Sequence, residues 1–205
     1  MKFAEMTVAQ FLEKLASPDP TPGGGTAAAV AGAMGTGLLI MVTGLAKSNT
    51  NSDAEKAALA AARQALQPLI PALADLADAD AAAFDQVMSA YRLPKATDDD
   101  KTARSAAIQA ALQGATTVPL QTLRACAAAM AHVETVAANG NRSAVSDVGV
   151  AIGLLEAAAA GAEANVRINL ASVRDPQFTS AAGDEMGRLI SEVTRQAATA
   201  RSRLA

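Results

Sequence analysis

Tryptophan is absent from this chain of 205 residues, tyrosine occurs once and phenylalanine four times, so aromatics make up 2% against a hydrophobic fraction of 51%. An interior of that kind has to be built from Ala, Leu, Val, Ile and Met. Strands would want more aromatic and β-branched residues, whereas alanine is the best helix former and lets neighbouring backbones approach closely. The single cysteine, Cys126, and the single histidine, His132, exclude an internal disulfide and the ligand set of a structural zinc site. A metal would have to use carboxylates, and none is expected. Charge of one sign is also missing. The net charge is −3 with acids and bases interspersed, so the electrostatic footprint of a nucleic-acid binder is lacking. Glu5 and Glu13 interrupt the first apolar residues, which argues against a secretory leader and makes the cytoplasm the expected location.

What is present reads as helix throughout. Thr7 and Gln10 form a capping box for a short helix ending near Ser17, where Ser17-Pro18-Asp19-Pro20-Thr21-Pro22-Gly23-Gly24-Gly25 breaks it. Residues 26–46 carry no charge and are long enough to span a bilayer. The core helix of a bundle gives the same pattern, no basic flank marks either end, and the other segments are amphipathic, so a core helix is the reading adopted. Asp53 is expected to cap the next helix. Pro68 and Pro71 should separate it from a fourth that runs to about Tyr91. Thr97 with Asp98, Asp99 and Asp100 suits the start of a fifth, which Pro119 is expected to kink or divide. Asn139-Gly140-Asn141 reads as a turn, Ser143 as the cap of a long helix to about Leu170, and Asp175-Pro176 as the opening of the last. No repeat or linker divides the chain. The expectation is a single all-α domain over residues 1–205, an up-and-down helical bundle.

Two helix faces carry polar residues where apolar ones belong. Leu73, Leu76, Asp80, Phe84, Val87 and Tyr91 follow steps of three and four, with Asp80 in the middle of the stripe. A carboxylate withdrawn from water has a raised pKa and can give and take protons near neutrality. The same placement also suits a buried aspartate that pairs with a base or caps a neighbouring helix. Asp78, two positions earlier, points elsewhere and is expected in solvent. On the long helix, Asp147, Ala151, Leu154, Ala158, Ala162, Asn165 and Asn169 share a second stripe. Its amides would serve either helix-helix contacts or a flat ligand. Pro22-Gly23-Gly24-Gly25-Thr26 offers backbone donors at a helix start, but it lacks the lysine of a P-loop and follows no strand. Lys95, after Pro94, could pair with a substrate carboxylate or with Asp80, or simply complement a helix end. Cys126 and His132 read as packing residues within an alanine-rich helix.

Taken together, Pro20-Thr21-Pro22-Gly23-Gly24-Gly25, Asp78-Ala79-Asp80-Ala81-Ala82-Ala83-Phe84, Leu93-Pro94-Lys95, Gly140-Asn141 with Ser146-Asp147-Val148-Gly149-Val150, and Asn165-Val166-Arg167-Ile168-Asn169 resemble the cyclodeaminase/cyclohydrolase family over nearly the whole chain. The resemblance implies an all-helical homodimer, formed through long helices, that binds a tetrahydrofolate derivative as substrate at the subunit interface with no further cofactor and no metal. It places catalysis on Asp80 with Lys95. It places substrate binding on Pro22, Gly23, Gly24, Gly25, Thr26, Asn141, Asp147, Asn165 and Asn169. The chain departs from the family at Ser143, where relatives often carry asparagine, and at Lys47-Ser48-Asn49, where a basic-aromatic stretch is usual. Cyclohydrolase is the activity favoured by the resemblance, with cyclodeaminase the alternative. The reading from another class is a non-catalytic dimer in which the buried polar residues only fix helix register.

Overall fold

Reciprocal capping starts three of the helices. In the structure, a computed structural model that describes residues 2–45 and 51–204, Thr7 and Gln10 exchange side-chain and backbone bonds before α1 (Val8–Leu15). The same box recurs at Ser52 and Glu55 before α3 (Asp53–Leu66), and at Thr97 and Asp100 before α5 (Asp98–Met130). Ser52 is therefore the cap expected of Asp53. The aspartate sits one position inside, where its charge still complements the positive end of the helix. The Lys47-Ser48-Asn49 stretch lies outside the described residues.

Prolines act by position. Pro68 is the N-cap of α4 (Leu69–Tyr91), and Pro71 falls in its first turn, where a missing N–H costs no helical bond. Pro119 lies inside α5 and does not divide it. The chain turns at Ala131 and His132 before α6 (Val133–Asn139), so His132 is a partly buried residue at a helix junction, not within a helix as expected. Cys126 packs as expected: it is fully buried, and burial pushes its thiol up to about 12. The start of the long α7 (Val145–Leu170) also differs. Asn141 accepts the Ser143 N–H and opens a 3-10 turn, Arg142–Ala144, from which α7 continues with Ala144, not Ser143, at its cap. Asp175 then caps α8 (Pro176–Leu204) by accepting the N–H groups of Gln177 and Phe178.

The uncharged segment becomes α2 (Gly24–Gly44). It packs between α4 and α7, and α5 closes the ring by packing on the same two helices. Leu39, Leu73, Leu123, Ile152 and Leu155 meet in the centre, fully buried. Gly35 permits a close contact of α2 with α7, since a Cβ there would stand 3.0 Å from the Ala151 carbonyl oxygen and from Leu155 Cγ. Helix α8 covers α5 and α7, while α3 and α6 pack on each other and on α2 and α8 respectively. No strand occurs among the described residues. By length and composition alone, α2 and the stretch Arg142–Leu170 are each able to cross a membrane. Half of the most apolar window of α2 is buried inside the bundle, and 39% of the other.

Candidate functional site

The first turn of α2 is formed by Gly24, Gly25 and Thr26, and the N-cap residue Gly23 has no side chain to satisfy its amides. Asp80, halfway along α4, faces this turn. The fully buried Thr26 donates from Oγ1 to Asp80 Oδ2 at 3.0 Å, with the Ala77 carbonyl oxygen a second acceptor at 3.3 Å. The Thr26 backbone amide also favours the charged carboxylate. Such an approach requires glycine at position 25, because a Cβ there would lie 2.2 Å from Asp80 Oδ1 and 2.6 Å from Cγ. Asp80 thus does cap a neighbouring helix, one of the roles its sequence position left open.

Capping does not make it an ordinary carboxylate. Burial pushes the Asp80 carboxyl above its usual pKa, and the two Thr26 contacts pull it back only in part. Among the described residues no Lys, Arg or His forms an ion pair with it. Asp80 opens on a cavity of about 300 Å³ that is walled by Pro20, Thr21, Gly23, Gly24 and Gly25 on one side, Ala83, Phe84 and Val87 on another, and Ala115, Asn165 and Asn169 on a third. That volume is at the low end of small-molecule sites, which run from roughly 300 to 1,000 Å³. It suits a fused ring system better than a long ligand.

The two asparagines are oriented by their own hydrogen bonds. Asn165 Nδ2 donates to the Gly161 carbonyl one turn back at 2.8 Å, and Asn169 Nδ2 donates to the Ala115 carbonyl on α5 at 2.7 Å. Each bond commits one N–H of its amide and fixes the side chain, and the oxygens are open to a ligand, so the pair can accept from N–H groups. The site therefore combines a carboxylate with a raised pKa and no ion-pair partner among the described residues, two amides whose oxygens can accept, and an apolar wall at Phe84 and Val87.

Other expected site residues lie elsewhere in the chain. Pro22 is buried behind the loop and Thr26 touches Asp80, so neither lines the cavity. Lys95 stands in the exposed turn after α4. Asp147 is 18 residues before Asn165 on α7, a separation of about 27 Å along the axis. Asn141 borders a different cavity, of about 480 Å³, with Arg142 and Arg203. Asp78 is not in solvent as expected. Its Oδ1 accepts the Phe3 N–H at 2.8 Å, tying the 3-10 turn Phe3–Glu5 to α4, and its Oδ2 is buried without a partner among the described residues. Ala115 is a wall residue that periodicity does not single out. The signal for it is Pro119, four positions later.

The sequence profile of the formiminotransferase-cyclodeaminase family matches residues 7–188. The chain belongs to this family. Among its members, a methenyltetrahydrofolate cyclohydrolase of Methylorubrum extorquens is 40% identical over 186 residues, which is 91% of this chain and 89% of the relative. A formimidoyltransferase-cyclodeaminase of Sus scrofa is 34% identical over 95% of this chain, but the match spans only 36% of that longer protein. The crystal structure of formiminotetrahydrofolate cyclodeaminase from Thermotoga maritima superposes with a TM-score of 0.87 at 26% identity, covering 98% of this chain and 96% of that one. The family thus includes proteins of about this length with either activity in their names. The motifs around Asp80, the glycine loop and the two asparagines all fall inside the matched residues.

Proposed function

We propose that this protein is a methenyltetrahydrofolate cyclohydrolase in which Asp80 is the acid/base. The observation that carries the activity is the 40% identity to a cyclohydrolase that is matched over 89% of its own length. The raised pKa of Asp80 and its place on the cavity support the following chemistry. Water adds to the carbon bridging the two folate nitrogens and gives one proton to Asp80. One carbon–nitrogen bond then breaks, the departing nitrogen takes that proton, and the proton left on the oxygen leaves as the formyl carbonyl forms. The methenyl substrate is a cation, and a carboxylate with no cationic partner is suited to face it. Phe84 and Val87 offer the ring an apolar face, and Asn165 and Asn169 accept from its N–H groups. The chemistry asks for no cofactor beyond the substrate.

Cyclodeaminase activity is the second reading, favoured by the full-length likeness to the Thermotoga maritima enzyme. In that reaction the folate nitrogen attacks a formimino carbon, and Asp80 would protonate departing ammonia. Giving the purified protein methenyl- and formiminotetrahydrofolate separately decides between them. Loss of the methenyl absorbance is the result expected; its appearance from the formimino substrate alone would establish the second reading.

The homodimer implied by the family resemblance has a suitable face on α7. Val150, Gly153, Ala157, Ala160, Ala164 and Ile168 are exposed along one uncharged stripe. A side chain at Gly149 or Gly153 would meet nothing within the protomer, so these helix-weakening glycines have no use inside it. A two-fold axis crossing the helix would bring the Asn141 and Asp147 end of one copy beside the Asn165 and Asn169 end of the other. Light scattering should give a dimer for the wild type and a monomer for Gly153→Leu; a monomeric wild type would contradict this arrangement.

A further inference from the structure

A proline inside a helix cannot donate to the carbonyl four residues earlier. Pro119 lies within α5, and the carbonyl it leaves free is that of Ala115. Ala115 is only 9% exposed and walls the Asp80 cavity, a place where an orphaned carbonyl is costly. The Asn169 amide from α7 takes the place of the missing donor at 2.7 Å, and α5 continues unbroken from Asp98 to Met130. Side chains that insert into a helical ladder do so where it has been opened. The bond also decides which way Asn169 faces. Its nitrogen is held by α5, leaving Oδ1 as the free end of the amide.

We propose that Pro119 is a positioning residue of the Asp80 site: by withholding the N–H that would otherwise compete for the Ala115 carbonyl, it leaves that oxygen to the Asn169 amide and holds Asn169 with its amide oxygen available to substrate. This role in binding rests on the folate reading of the cavity, but the link from Pro119 through Ala115 to Asn169 does not. A proline merely tolerated in a helix would affect stability alone. A positioning proline does something less common, because its removal improves the helix and harms the site.

Pro119→Ala tests this. The restored N–H should raise the melting temperature by several degrees, since proline is the least favourable residue in a helix interior. It should also raise KM for methenyltetrahydrofolate, on the order of fivefold, with kcat little changed. In an Asn169→Ala background the same substitution should raise KM no further. A wild-type KM in Pro119→Ala, with normal wild-type turnover, would overturn the positioning role and leave the proposed function standing. If the wild type turns over neither folate, the proposed function fails, and the link is judged by stability instead. The gain from Pro119→Ala should then be larger in the Asn169→Ala background, where the new N–H competes with no existing bond; equal gains in both backgrounds would overturn it.

Discussion

Asp80→Asn is expected to lower kcat for methenyltetrahydrofolate by roughly 10²–10⁴, the range that a positioned acid/base contributes, while folate binding stays within a few-fold of wild type. Asparagine keeps the shape of the side chain, and its oxygen can still accept from Thr26 Oγ1, so the capped turn of α2 is retained. It cannot take a proton from water. Stability should move the other way. Because burial raises the Asp80 pKa in the folded protein, the folded state holds that proton more tightly than the unfolded chain does. Ionisation of Asp80 therefore costs stability, and the cost sets in as pH rises from the ordinary carboxylate value through the raised one. The substituted amide would be neutral throughout. Urea unfolding at neutral pH should show the variant at least as stable as wild type, with the two converging in acid. The wild-type rate should fall in acid with an apparent pKa above that of an ordinary carboxylate, and any residual rate of the variant should lack this limb.

Gly25→Ala should cost nearly as much turnover by a different route. A methyl group at position 25 would overlap the Asp80 carboxylate, at 2.2 Å from Oδ1 and 2.8 Å from Oδ2. Either the carboxylate swings out of the site or the first turn of α2 moves, and both break the Thr26 bond. Alanine favours the helix over glycine by about 1 kcal/mol, but overpacking of this kind costs typically about 1–3 kcal/mol, so a modest net loss of stability is expected. Turnover should fall by on the order of 10² or more. Since both substitutions remove the same group, the double variant with Asp80→Asn should turn over no more slowly than Asp80→Asn alone. Near-normal activity in Gly25→Ala would contradict the close approach of α2 and α4.

Much of this architecture is legible in the sequence because it is local. The Thr7 and Thr97 caps, the glycine loop before α2 and the oddity of Asp80 on its stripe all follow from spacing. Local chemistry also misleads where two residues can play one part, as when Ser52 caps α3 and Asn141 opens the turn before α7. What periodicity cannot supply is the partner across helices. Nothing near Asp78 in sequence announces the Phe3 amide, and Pro119 reads as a break because the Asn169 side chain that mends it comes 50 residues later on another helix. The converse holds for Asp147. It shares the stripe of Asn165 and Asn169, yet sharing a face of a 26-residue helix does not make residues neighbours.

The most direct measurement is a crystal structure of Asp80→Asn with methenyltetrahydrofolate bound. It should place the bridging carbon one water from residue 80, the ring against Phe84 and Val87, and ring N–H groups on the oxygens of Asn165 and Asn169. Folate seated instead in the cavity beside Arg142 and Arg203, or in the apolar groove between α1 and Met34, with the Asp80 cavity empty, would contradict the assignment of the active site.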